Sequence, residues 1–129
     1  MAEGARGERI LVVDDDVHVR DLCTRVLSNE GYTVFSAANA AEARACLDVE
    51  TLDLLVVDIH LPHESGISLL RHAQAVRPGV PAVLITGQAE ASTVIDAIRL
   101  NVREYLCKPF SLRQLREAVA QHVGQTGVP

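Results

Sequence analysis

Four short apolar runs in this 129-residue chain each hand over directly to a residue that can do chemistry. Ile10-Leu11-Val12-Val13 is followed by Asp14-Asp15-Asp16, and Leu54-Leu55-Val56-Val57 by Asp58. Ala82-Val83-Leu84-Ile85 is followed by Thr86, and Tyr105-Leu106-Cys107 by Lys108. Carboxylates about 4 Å apart repel by roughly 4 kcal/mol at an effective dielectric of 20, so gathering Asp14, Asp15 and Asp58 calls for a cation. Magnesium suits such a set better than zinc, because it prefers oxygen ligands and commonly uses one or two carboxylates plus a phosphate. One carboxylate beside that ion could attack a phosphoryl group. The ion, the Thr86 hydroxyl and the Lys108 ammonium would then each neutralise an oxygen of the loose transition state.

For these groups to meet, the runs must be parallel strands ending on one edge, where ligands bind in open α/β sheets. Their unbroken apolar character fits strands covered on both faces. Strands are expected at Ile10 to Val13, Thr33 to Ala37, Leu54 to Val57, Ala82 to Ile85 and Glu104 to Cys107. Helices are expected at Val17 to Glu30, Ala40 to Val49, Gly66 to Val76, Ala91 to Leu100 and Leu112 to His122. The order is (βα) five times, which predicts an α/β fold: a doubly wound three-layer sandwich around a parallel five-stranded sheet. Gly31 reads as a left-handed cap, Asp16 as an N-cap, and Asn39 with Glu42 and Ser111 with Gln114 as capping pairs. Leu112, Leu115 and Val119 form the stripe expected to face the sheet.

Composition narrows the function classes. With 48% apolar residues the chain fits one domain that needs neither disulfides nor a structural metal. A net charge of -5 and only 3% aromatics argue against direct nucleic-acid binding by this chain. Cys23, Cys46 and Cys107 are odd in number, widely spaced and read as small hydrophobes in a reducing compartment. The first ten residues lack an apolar signal core and no run could span a bilayer, so the expectation is a cytoplasmic protein without membrane attachment.

Taken together, ILVVDDD at 10–16, LLVVDIHLPHESG at 54–66, LITG at 84–87 and YLCKPF at 105–110 closely resemble the CheY-like receiver domain of two-component response regulators, over nearly the whole chain. The resemblance implies the flavodoxin-like strand order 2-1-3-4-5. It also implies a flexible N-terminus at 1–8, a receiver domain at 9–123, and a tail or linker start at 124–129. By this resemblance Asp58 is the phosphoacceptor, taking its phosphoryl group from phospho-histidine on a sensor kinase or a histidine phosphotransfer protein. Asp15 is a direct Mg2+ ligand, Asp14 a ligand through water, and Asp58 and the backbone carbonyl of His60 belong to the same metal set. Thr86 and Lys108 hold phosphoryl oxygens, and Lys108-Pro109 resembles the family's cis peptide. Thr86 and Tyr105 form the switch that reshapes the face of the fourth helix, fifth strand and fifth helix. Such a domain is a phosphoacceptor switch that assists its own phosphotransfer and dephosphorylation, not an enzyme in the ordinary sense. Its partners would include a downstream effector that the sequence does not identify and, on phosphorylation, a second copy.

Some positions depart from the common pattern. His60, two beyond Asp58, and Gln88 across the site are placed to tune phosphate lifetime; Ser65-Gly66 replaces the usual acidic-Gly pair, and Asn101-Val102 the usual Gly-Ala. His60 and His63 lack a third nitrogen or sulfur ligand nearby in sequence, which argues against zinc. His18, His72 and His122 read as solvated or partly buried helix residues. Two other functions fit parts of the pattern. Asp14-Asp15-Asp16-Val17 matches the DxDxV start of haloacid-dehalogenase-type phosphatases, with Asp14 as nucleophile, although beyond Lys108 only Glu117 is acidic. A receiver-shaped interaction module that is not phosphorylated is the third reading.

Overall fold

The computed structural model describes residues 7–87 and 99–123. The elements are β1 (Arg9–Val13), α1 (Val17–Asn29), β2 (Thr33–Ala37), α2 (Ala40–Val49), β3 (Leu54–Asp58), α3 (Gly66–Val76), β4 (Ala82–Thr86), β5 (Val102–Cys107) and a C-terminal helix, α4 (Leu112–His122). The helix expected at Ala91 to Leu100 lies largely outside the described residues. All strand pairs are parallel, in the order β2-β1-β3-β4-β5.

Alternation along each strand divides the core in two. Leu11, Val13, Leu55, Val57, Ala82 and Leu84 pack against α2 and α3 through Ala43, Leu47, Leu69, Leu70 and Ala73. Ile10, Val12, Leu54, Val56, Val83 and Ile85 point the other way, onto Cys23 and Leu27 of α1 and Leu115, Ala118 and Val119 of α4. Every residue of β3 and β4 is buried, which is why their sequences show no polar alternation. The stripe on α4 is displaced from expectation. Leu112 is 39% exposed, and the buried positions run Leu115, Ala118, Val119 and His122. His122 fills that last place because its Nε2 meets Glu104 Oε1 of β5 at 2.8 Å, which satisfies a buried polar ring.

The caps form as read. Asp16 accepts from the backbone N–H groups of His18 and Val19, Asn39 accepts from Glu42, and Ser111 and Gln114 form a reciprocal box. Glu42 reaches the N–H of Ala38, one residue short of its cap. Gly31 has φ 97 after α1, and Asn101 has φ 64 where the sequence departs from Gly-Ala. Asparagine suits that left-handed position because its Nδ2 donates to the carbonyls of Gly79 at 2.9 Å and Val80 at 3.1 Å. The amino end of β5 is thereby tied to the amino end of β4.

Candidate functional site

The carboxyl edge of the sheet brings Asp14, Asp15, Asp58, Thr86 and Lys108 together. Asp14 continues the pairing of β1 with β2, its N–H donating to Ala37 O at 3.1 Å, and its side chain is fully buried. Its Oδ1 accepts the Asp16 N–H at 2.9 Å. Its Oδ2 lies 3.1 Å from Lys108 Nζ, an ion pair outside hydrogen-bond geometry, so this buried oxygen has a charge nearby but no proton donor. Asp58 ends β3 and is 4% exposed. Its Oδ1 accepts the His60 N–H at 2.9 Å and its Oδ2 accepts from Lys108 Nζ at 3.0 Å. Asp15 is exposed, and one carboxylate oxygen from each of Asp14, Asp15 and Asp58 lies within 4.8 Å of the others.

Thr86 ends β4, buried, and its carbonyl accepts the Lys108 N–H at 2.9 Å, which fixes where the lysine leaves the sheet. The Lys108-Pro109 peptide is cis. Tyr105 is half-buried against the α2/α3 side of the core, and burial pushes its phenol above the ordinary range. The His60 residue is exposed; Gln88 lies outside the described residues.

Electrostatics in the pocket point one way. Burial is the largest influence on Asp14 and, with the neighbouring Asp58 charge, holds its carboxyl above the usual range despite the Asp16 N–H. Burial pulls the Lys108 ammonium down, but the hydrogen bond to Asp58 and the negative charge of Asp14 and Asp58 outweigh it and hold the amine above its usual value. An acid reluctant to ionise and an ammonium reluctant to lose its proton are both signs of too little positive charge. The donor-less Asp14 oxygen and the all-oxygen donor set fit a hard divalent cation.

Two contributors escaped the sequence reading. Arg20 Nη1 donates to the Asp14 carbonyl at 2.8 Å, a contact that only the first turn of α1 creates. Gly66 was legible as a helix start, but its second role was not. A Cβ there would meet Asp58 O at 2.6 Å and Ile59 Cα at 2.9 Å, so α3 can approach the acceptor strand only through glycine. Beside Lys108, an open apolar groove of about 390 Å3 is lined by Val19, Leu22, Pro109 and Phe110. The remaining candidates have bland roles. His72 meets Asp48 at 3.1 Å. Burial pushes the Cys23 thiol up to about 12, whereas Cys107 is exposed and so is no core hydrophobe. No helix among the described residues is long and apolar enough to cross a membrane.

Known proteins with these features are numerous. The response regulator receiver domain profile matches residues 10–120. Sporulation initiation phosphotransferase F of Bacillus subtilis is 29% identical over 116 residues, covering 90% of this chain and 94% of that protein. Response regulator protein PilR of Pseudomonas aeruginosa is 35% identical over 88% of this chain, which spans only 25% of PilR. A CheY-like receiver domain protein from Methanospirillum hungatei superimposes with a TM-score of 0.85 at 35% identity, over 89% of this chain and 92% of that one. Receiver domains bind Mg2+ at an acidic pocket and act as signalling switches. With its sheet order, its acidic edge and a profile match over most of its length, the chain belongs to the response regulator receiver family, the phosphoacceptor domains of two-component systems.

Proposed function

We propose that Asp58 accepts a phosphoryl group from phospho-histidine on a sensor kinase or phosphotransfer protein. The observation that carries this reading is the double anchoring of the Asp58 carboxylate, by the His60 N–H on Oδ1 and Lys108 Nζ on Oδ2, within 4.8 Å of two further acids. An Asp58 oxygen attacks phosphorus, the P–O bond forms as the P–N bond to the donor imidazole breaks, and the electron pair returns to that ring. The Lys108 ammonium and the Thr86 hydroxyl hold phosphoryl oxygens. Asp14, Asp15, Asp58 and the His60 carbonyl are the groups that would hold Mg2+, which when bound supplies the positive charge this acidic cavity lacks. His60 and Gln88 set access of water to the acyl phosphate.

The donor protein lies over the groove of Val19, Leu22, Pro109 and Phe110. That groove shares Lys108 with the pocket, which puts apolar surface beside the acceptor for a partner whose imidazole reaches Asp58. Movement of Thr86 toward the phosphoryl group and of the Tyr105 ring then reshapes the face built on β5 and α4, the output surface. Cytoplasmic location, a homodimer of the phosphorylated form and an effector read by that face complete the proposal. The test is incubation with a small-molecule phosphodonor with and without Mg2+. Stoichiometric, Mg2+-dependent, acid-labile phosphorylation is expected and should vanish in a folded Asp58→Asn variant. Labelling that persists there would overturn the assignment, and sustained turnover of phosphate esters dependent on Asp14 would favour a phosphatase.

A further inference from the structure

The acidic turn between β1 and α1 is held from behind by a cation that the phosphoryl chemistry does not use. Arg20, partly buried in the first turn of α1, donates its Nη1 to the Asp14 carbonyl at 2.8 Å, and its own N–H donates to Asp16 O at 3.0 Å. The Asp14 side chain has further restraints, from the Asp16 N–H and the Lys108 charge. Asp15 has none: among the described residues no hydrogen bond or ion pair holds its exposed carboxylate. The Asp14-Asp15 peptide fixes where that side chain leaves the backbone, and the side chain that grips this peptide's oxygen is Arg20.

We infer that Arg20 is a positioning residue for the metal site, orienting the Asp15 carboxylate through the Asp14 carbonyl. The inference deepens the proposed function and rests on its Mg2+ site. Position and charge predict opposite signs. A guanidinium on the turn that carries Asp14 and Asp15 repels a dication there, so if Arg20 acted only as a charge its removal would tighten Mg2+ binding. If it acts by position, removal loosens binding, because groups that orient metal ligands commonly account for roughly tenfold or more in affinity. Metal identity gives a second handle. Mg2+ demands near-ideal octahedral geometry and Ca2+ tolerates irregular geometry, so a displaced carboxylate harms Mg2+ more, whereas a change of charge moves both dications alike.

The experiment titrates the 15N-labelled chain with Mg2+ alone and with Ca2+ alone, following the amide signals of Asp15, Asp16 and His60. It compares the wild type with Arg20→Met and with Arg25→Met, the same charge change at an exposed site on the same helix. Dispersed spectra report that each variant is folded. Arg20→Met is expected to weaken Mg2+ binding by about tenfold, Ca2+ binding by less, and Arg25→Met neither. Arg20→Lys, which keeps one donor, should recover part of the loss. Equal or tighter Mg2+ binding in folded Arg20→Met, or equal losses for the two ions, would overturn the inference while leaving the proposed function standing. A wild type that binds no Mg2+ would instead bring down the proposed metal site and this inference with it.

Discussion

Two groups of opposite sign, the buried Asp14 and the partly buried Lys108, carry the energetics of the site. Burial raises the Asp14 carboxyl above its ordinary value of 3.8, with the Asp58 charge adding to it, so the fold favours the neutral acid. The sign follows from linkage. The native state holds this proton more tightly than the unfolded chain, so the metal-free protein loses stability on this account as pH rises from 3.8 through the raised folded value, and the loss then levels off. Asp14→Asn should therefore match the wild type at the acid end of a urea-unfolding pH series. It should become more stable than the wild type toward neutrality. Lys108 acts at the alkaline end. Its stabilisation is complete below 10.5 and is lost as pH rises through its raised folded value. Lys108→Met should abolish that alkaline limb, and should slow phosphorylation of Asp58 by at least tenfold as judged from initial rates, in line with losing one oxyanion partner.

Among the elements, the approach of α3 to the end of β3 is the tightest constraint on the acceptor. Gly66→Ala would press a methyl group into the Asp58 and Ile59 backbone, where nothing flexible can give way. Thermal melts should show a loss of roughly 1–3 kcal/mol, the range for overpacking, together with slower phosphorylation. The left-handed Asn101 offers a contrast. Asn101→Ala forfeits two hydrogen bonds and leaves a Cβ at positive φ, so it should destabilise by about 1–2 kcal/mol more than Asn101→Gly. Most elements were legible in the sequence because apolar runs of four residues between turn signals fit strands covered on both faces, and because Asp16, Asn39 and Ser111 announce helix starts. The strand ends were less so. Asp58 and Thr86 proved to be the last residues of their strands, and β5 begins at Val102, where Arg103 and Glu104 hid the pattern. Arg20 and the close approach of Gly66 left no signal, since each depends on a distance between elements. The outward turn of Leu112 has the same origin, because α4 meets the sheet one turn further along than its periodicity suggests.

For the whole molecule, the clustered acids leave the metal-free chain destabilised until a dication arrives. Mg2+ at one hundred times its dissociation constant should stabilise the wild type by about 2.7 kcal/mol, and Asp15→Asn should remove most of that gain in thermal melts. Adding beryllium fluoride with Mg2+ should shift amide signals around Thr86 and Tyr105 and along β5. Silence there would favour an interaction module that does not switch. The site was readable at this scale because four strand ends deliver complementary chemistry to one edge, whereas the output surface was expected only through the family resemblance, since β5 and α4 carry no such signature. The account stands or falls on which carboxylate becomes phosphorylated. Reductive trapping of the acyl phosphate with borohydride, followed by peptide mass spectrometry, reads this directly. The modification is predicted at Asp58 alone, and modification at Asp14 or Asp15, or none in the presence of Mg2+ and donor, would contradict it.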